Sequence, residues 1–269
     1  MYLLLDIGGT NLKLSLVKNI KDLKKNFKKI RTPESYQEFL TLIKEEFNSS
    51  KITKTIIGFA GMIDKKKGII LKSPNLSDYD KKFIVKDIEK ILKCKTYIYN
   101  DAELAGLGES IYGTGKNYKI VAYVTLSTGI GGARIVNKEI DKNFNGFEPG
   151  HSLFLLDFSK LEFAEIEKLI SGRAIENIYG LKPENIKDKE FWKHINKLFA
   201  AFLVNVSLFW SPEVIILGGS LLNSLDFEEL KVNFENLKPM PIKVKLLKSK
   251  LKELSALYGA YSLVKLKNY

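Results

Sequence analysis

Asp6-Ile7-Gly8-Gly9-Thr10-Asn11 is the stretch on which the fold turns. It ends the apolar run 2–6 and opens an alternating segment, 11–18, which a third short segment at 28–31 follows. A buried apolar run and period-two alternation, joined by short turns, predict a β-meander. A Gly-rich turn presents successive backbone N–H groups to an anion, because no Cβ blocks the approach. Thr10 and Asn11 add side-chain donors, and Asp6 at the strand end suits a hydrated Mg²⁺ beside phosphates. Alone, Gly8-Gly9-Thr10 reads more readily as a tight hairpin.

The same grammar recurs further along. Residues 119–126 predict a strand, Thr128-Gly129-Ile130-Gly131-Gly132 a turn, and 132–136 a second strand. A third glycine pair, Gly218-Gly219, follows the apolar run Val214–Leu217. Three glycine pairs, each beside an apolar strand, point to a held nucleotide. None fits the Walker A loop or the GxGxxG fingerprint, so those templates fail.

Between the turns, 34–47 and 81–93 predict helices, 55–60 and 95–99 strands, and 102–112 a helix entered through Asn100-Asp101. A long helical stretch runs from about 188 to Trp210 and stops before Pro212. The expectation is an α/β chain of two similar lobes, 1–115 and 116–252, with a helix over 253–269 packing back on the first. Two glycine turns facing each other across an interlobe cleft would grip one polyanion from both sides.

Composition narrows the functional classes. The 269 residues are 45% hydrophobic and 28% charged, as in ordinary globular proteins. No apolar run reaches the ~18 residues that a membrane span needs. The first residues read as a buried strand and not as a leader, so the expected location is the cytoplasm. Cys94 is the only cysteine, which rules out an internal disulfide and any multi-cysteine zinc site. The net charge of +12 would attract polyanions, but only Arg31, Arg134 and Arg173 are Arg, and no base-reading module is present. The lysines, including the run Lys65-Lys66-Lys67, read as a solvated surface, with neither nucleic acid nor membrane as partner.

Taken in order, these motifs resemble the ROK family of sugar kinases and repressors, in the actin/hexokinase-like (ribonuclease H-like) ATPase superfamily. Asp6–Asn11 resembles the first phosphate motif and Thr125–Gly132 the second, while Leu217-Gly218-Gly219-Ser220 is similar to the adenosine motif. Asn100-Asp101-Ala102 and Glu148-Pro149-Gly150-His151 resemble the two signatures that set ROK members apart within that superfamily. The resemblance implies a two-lobed fold, a homodimer, and ATP with Mg²⁺ as cofactors. It implies that Asp6, Gly8, Gly9, Thr10, Asn11, Lys13, Thr128, Gly129, Gly131, Gly218 and Gly219 hold the nucleotide, with Asp6 reaching Mg²⁺ through water. Gly61, Asn75, Asn100, Asp101, Glu148, His151 and Glu167 would hold the sugar, and Asp101 would be the general base for its hydroxyl. Read without the resemblance, Asn100-Asp101 at a strand–helix junction is a helix N-cap.

Three departures stand out. The cysteine motif that many ROK members use to bind zinc together with the histidine is missing, so no zinc is expected. Apolar packing by Phe154, Phe158 and Phe163 is expected to fix His151 and Glu167 in its place. Ala60, where Pro is common, and Phe147 and Pro149 beside Glu148 leave the sugar open. The leading expectation is an ATP-dependent hexokinase-type enzyme acting at O6, with glucose as first candidate. Fructose, mannose, N-acetylmannosamine and N-acetylglucosamine also stay open. A polyphosphate-dependent glucokinase and a non-catalytic sugar sensor are the alternatives.

Overall fold

The structure, a computed structural model, describes residues 1–47, 51–144 and 146–265. The chain divides into two compact units: Met1–Tyr112 with the segment from Leu254, and Gly113–Glu253.

The first unit is built on β1 (Tyr2–Ile7), β2 (Asn11–Val17), β3 (Lys28–Arg31), β4 (Lys54–Phe59) and, after the small hairpin β5 (Met62–Asp64) and β6 (Ile69–Lys72), β7 (Lys95–Asn100). Its five-stranded sheet runs β3-β2-β1-β4-β7. The first three strands are an antiparallel meander, while β4 and β7 run parallel to β1. Strand β1 is apolar without alternation because, as a central strand, it is covered on both faces: Leu3, Leu4 and Leu5 are all fully buried. The helices are the short α1 (Asp22–Lys25), α2 (Tyr36–Phe47), α3 (Ile84–Leu92) and α4 (Asp101–Tyr112). Phe39, Ile43, Ile84 and Ile88 of α2 and α3 meet Leu5, Ile57 and Phe59 in one core.

The second unit repeats the plan with β8 (Ile120–Leu126), β9 (Ile130–Val136), β10 (Glu139–Ile140), β13 (Val214–Gly218) and β14 (Lys245–Lys248), in the order β10-β9-β8-β13-β14. Again an antiparallel meander is extended by two parallel strands. A separate hairpin, β11 (Leu153–Asp157) and β12 (Glu162–Glu165), precedes α5 (Glu167–Ile170) and α6 (Gly172–Tyr179). Helix α7 (Lys189–Trp210) starts at Asp188, whose side chain accepts from the N–H groups of Glu190 and Phe191. It puts Ile195, Phe199 and Leu203 into the core with Val124 and Ile215. Helix α8 (Phe227–Leu237) is capped in the same way by Asp226. Neither β14 nor α8 was expected from the sequence, nor were the β5–β6 and β11–β12 hairpins.

Helix α9 (Ser255–Lys265) returns to the first unit. The last residues of the helix expected over 253–269, 266–269, lie outside the described residues. Helices α4 and α9 approach so closely that a Cβ on Gly108 would overlap the Ser255 carbonyl oxygen, and one on Gly259 that of Leu104. Beside this contact the fully buried Glu109 accepts from Ser255 Oγ at 3.1 Å. Among the described residues, no helix is long and apolar enough to cross a membrane.

Candidate active site

In the first unit the predicted residues gather at the carboxyl ends of the parallel strands, where open α/β sheets bind ligands. Register aligns Ile7 of β1 with Phe59 of β4, and Phe59 with Asn100 of β7. Asp6 and the glycine turn, Gly61, and Asp101 therefore emerge along one edge.

The turn is tight: the Gly8 N–H donates to the Asn11 carbonyl at 3.0 Å. Thr32, just after β3, clamps it, with its Oγ1 donating to the Gly8 carbonyl at 2.7 Å and its N–H to that of Thr10 at 3.0 Å. Asp6 is buried and faces Lys13 across the β1–β2 register, with Oδ2 2.8 Å from Nζ. Gly9 lies against Asn75, and a Cβ at position 9 would fall 2.6 Å from Asn75 Nδ2. The loop holding Asn75 is itself tied down, since Ser73 N–H donates to Asp80 and Leu76 N–H to Ser73 Oγ. Gly9, Thr10, Arg31, Glu34, Asn75 and Ser77 line a cavity of about 330 Å³. Asn75 Oδ1 is buried without a protein hydrogen bond. Such an orphaned acceptor is costly unless a ligand or water completes it.

Asn100 closes β7 and caps α4. Its Oδ1 accepts from Ala102 N–H at 2.9 Å and Glu103 N–H at 3.3 Å. Both features of Asn100-Asp101 therefore hold together: it is a helix cap, and it presents a carboxylate at the strand edge. Asp101 is half-buried, and its Oδ1 is fixed by the Ala102 N–H at 2.9 Å. The sequence did not single out Glu103. It is buried, accepts from Asn100 N–H, and pairs with Lys65 Nζ at 2.6 Å. Lys65 is thus not part of a merely solvated run.

In the second unit, Thr125 has Gly131 on one side and Gly218 on the other. The second turn and the predicted adenosine motif consequently share a sheet edge, where Gly219 turns the chain at φ 98°. The turn at Ser127–Gly129 rests on the start of α6: Gly172 N–H donates to the Ser127 carbonyl at 2.7 Å and Arg173 N–H to that of Thr128 at 3.1 Å. Glu167 locks it, accepting from Ile130 N–H at 2.6 Å, and a Cβ on Gly129 would fall 2.7 Å from the same oxygen.

Glu148 precedes a short 3-10 turn, Pro149–His151, that packs on Ile130: a Cβ on Gly150 would lie 3.0 Å from the Ile130 Cβ. His151 Nδ1 donates to Glu165 Oε2 at 2.7 Å. That bond raises the imidazole above its ordinary pKa despite partial desolvation, and the carboxylates of Glu167, Glu148 and Glu165 add to it. Glu165 is lowered in turn, first by Lys168 and then by His151.

The packing expected of three phenylalanines is corrected here. Phe154 faces the core, but Phe163 is 55% and Phe158 80% exposed. Strand alternation explains it: Phe163 pairs with Leu155 on the outer face, Phe154 pairs with Ala164 on the inner one, and Phe158 sits in the turn. His151 is fixed by Glu165 and Glu167 by a backbone amide. The missed Glu165 left one signal in the sequence, a second acidic residue at two-residue spacing from Glu167.

The sequence matches the ROK family over residues 2–267. It is 29% identical over 260 residues to an N-acetyl-D-glucosamine kinase of Histophilus somni, covering 83% of this chain and 85% of that one. Among solved structures, a ROK hexokinase from Thermus thermophilus superposes with a TM-score of 0.81 at 21% identity, over 98% of this chain and 99% of that one. A ROK family glucokinase from Streptomyces griseus, in complex with glucose and AMPPNP, gives 0.77 at 20% identity over 97% and 98%. At these identities the two structures establish the fold, which is the actin/hexokinase-like one.

Proposed function

Because the chain belongs to the ROK family and is a sugar kinase, a phosphotransferase with an alcohol as acceptor, we propose that it moves the γ-phosphoryl group of ATP to O6 of a hexose. Asp101 carries this proposal: a carboxylate oriented by the Ala102 amide of α4, on the strand edge that also bears the first glycine turn. Glucose is the first acceptor to try, with N-acetylglucosamine second because of the Histophilus somni relative.

Neither turn tolerates a side chain at its glycine, since a Cβ on Gly9 would meet Asn75 and one on Gly129 would meet Glu167. In this proposal Gly8, Gly9, Thr10, Asn11 and Lys13 line the phosphates together with Thr128, Gly129 and Gly131, and Gly218-Gly219 holds the adenosine. Asp6, which pairs with Lys13, would hold Mg²⁺ through water. Bound Mg²⁺ neutralises charge on the phosphate oxygens. Gly61, Asn75, Asn100, Glu148, His151 and Glu167 hold the sugar hydroxyls; Asn75 Oδ1 gains its missing donor there. Asp101 takes the proton of the attacking hydroxyl as the new oxygen–phosphorus bond forms and the bond to ADP breaks. A cytoplasmic homodimer completes the proposal.

A coupled ADP-release assay over a panel of hexoses tests it, with ATP and polyphosphate as alternative donors. Sugar-dependent ADP release that collapses in Asp101→Asn is the expected result. Equal turnover by the variant, or no response to any sugar, would overturn it.

A further inference from the structure

Glu103 is the second residue after the proposed base, and its side chain is only 2% exposed. A buried carboxylate is retained at little cost only where partners hold it. One partner is local: Glu103 Oε2 accepts from Asn100 N–H at 3.3 Å, and Asn100 Oδ1 accepts from Glu103 N–H at 3.3 Å. These two bonds form a capping box around the start of α4. The other partner is distant. Lys65, 38 residues earlier, reaches Glu103 at 2.6 Å, with its ammonium 5.8 Å from the Tyr99 ring centre. Lys65 follows β5 directly, in the hairpin that begins after Gly61. Gly61 itself is bound to that hairpin, since a Cβ there would lie 2.6 Å from the Lys72 carbonyl oxygen.

A capping box needs a side-chain acceptor and no cation, and Gln serves as well as Glu. The charge on Glu103 and the reach of Lys65 are therefore unexplained by capping. We propose that the Lys65–Glu103 pair is a strut that sets Asp101 against the sugar-holding loop at Gly61, so that both are positioning residues for phosphoryl transfer. The inference rests on the kinase proposal above. Lys65 belongs to the same hairpin as the loop, Glu103 to the same capping box as the base, and the pair joins them. Asp64 and Lys67, also in the hairpin, face each other 3.8 Å apart at the surface and do not enter the strut.

Glu103→Gln keeps the cap and removes the charge, while Lys65→Met keeps the stem and removes the ammonium. Each is expected to lower kcat by about 10–100-fold, the scale of a misplacement near 1 Å. The KM for ATP should stay within about twofold, because the donor turns are untouched. The double variant should be no slower than the slower single one, since both remove one interaction. Lys65→Arg should restore most of the loss. Wild-type kcat in either single variant would overturn the strut, as would additive losses or a deficit that merely follows the unfolded fraction in a thermal melt. If the wild-type protein phosphorylates no sugar, the kinase proposal fails instead. Amide hydrogen exchange then decides on the strut: faster exchange at Ala102 and Glu103 in Lys65→Met supports it, and unchanged exchange overturns it.

Discussion

The β1–β2 and β8–β9 turns occupy the same place in two sheets of one plan, yet they are held in different ways. The first is secured by backbone and hydroxyl groups, Gly8 to Asn11 and Thr32 to Gly8 and Thr10, with Asp6 already balanced by Lys13. The second also has backbone bonds, from Gly172 and Arg173 to the Ser127 and Thr128 carbonyls, and adds one carboxylate, Glu167, at the Ile130 amide. Its neighbour His151 hangs on Glu165 in a largely exposed hairpin. The first turn is thus clamped by a neighbouring strand end and the second by a helix start, to which a carboxylate is added. Repeated topology fixes where a turn stands without fixing what stiffens it.

Removing the base should give the largest effect. Asp101→Ala is expected to lower kcat by about 10²–10⁴-fold, the usual share of general-base catalysis. No carboxylate change in the second unit should approach that in steady-state assays; if Glu167→Gln does, the assignment of chemistry to the first unit is wrong.

The two turns can be set directly against each other. Gly9→Ala displaces Asn75, and kcat/KM should fall at least about tenfold for sugar and ATP alike, since one contact serves both. Glu167→Gln exchanges a charge-assisted bond for a neutral one, a difference near 1.5 kcal/mol or about tenfold. That loss should appear in the KM values with kcat nearly kept. Identical kinetic signatures from the two variants would erase the distinction between the turns.

A smaller effect concerns pH. Glu165 holds the imidazole of His151 above its ordinary pKa. Glu165→Gln should therefore lower the His151 titration midpoint in an NMR pH series. The sign for stability follows. A raised folded-state pKa contributes stability that is fully present below the unfolded value near 6.5 and is lost as pH rises through the folded value. Urea midpoints of wild type and Glu165→Gln should differ most below about pH 6, and the gap should narrow at higher pH to what the lost Lys168 pair leaves. The gap will be modest, because the imidazole is half exposed. Smallest of all, Phe158→Ser should leave stability within about 0.5 kcal/mol by denaturant unfolding, because its ring is in solvent. A larger loss would mean that the hairpin is covered in solution.

How much of this was legible in the sequence depended on distance along the chain. Strands β1, β4, β8 and β13 carry the apolar runs Leu3–Leu5, Ile56-Ile57, Ile120–Val124 and Val214–Leu217, and such runs announce themselves. Strand β14 is Lys-Leu-Leu-Lys, too short and too polar at its ends to stand out, although its register against β13 is regular. Helix α8 has Asp226 as a clear start but few apolar positions, because only one side is buried. At the site, Asp6, Gly9 and Asp101 lie within contiguous motifs and could be named. Glu103, Lys65 and Glu165 owe their roles to partners 38 and 14 residues away, and no local pattern encodes a pairing of that kind. The phenylalanine expectation failed for a related reason. Hydrophobicity suggested burial, but strand parity decided which ring turned inward.

The close approach of α4 and α9 has a consequence for how the molecule is made. Glu109 and Ser255 meet across 146 residues of sequence, and the whole second unit is synthesised between them. On the ribosome, the strands of the first unit and α4 emerge before the helix, α9, that packs on them. The second unit, contiguous from Gly113 to Glu253, can fold in the meantime. Until α9 is made, the glycine-lined face of α4 has no helix to pack against.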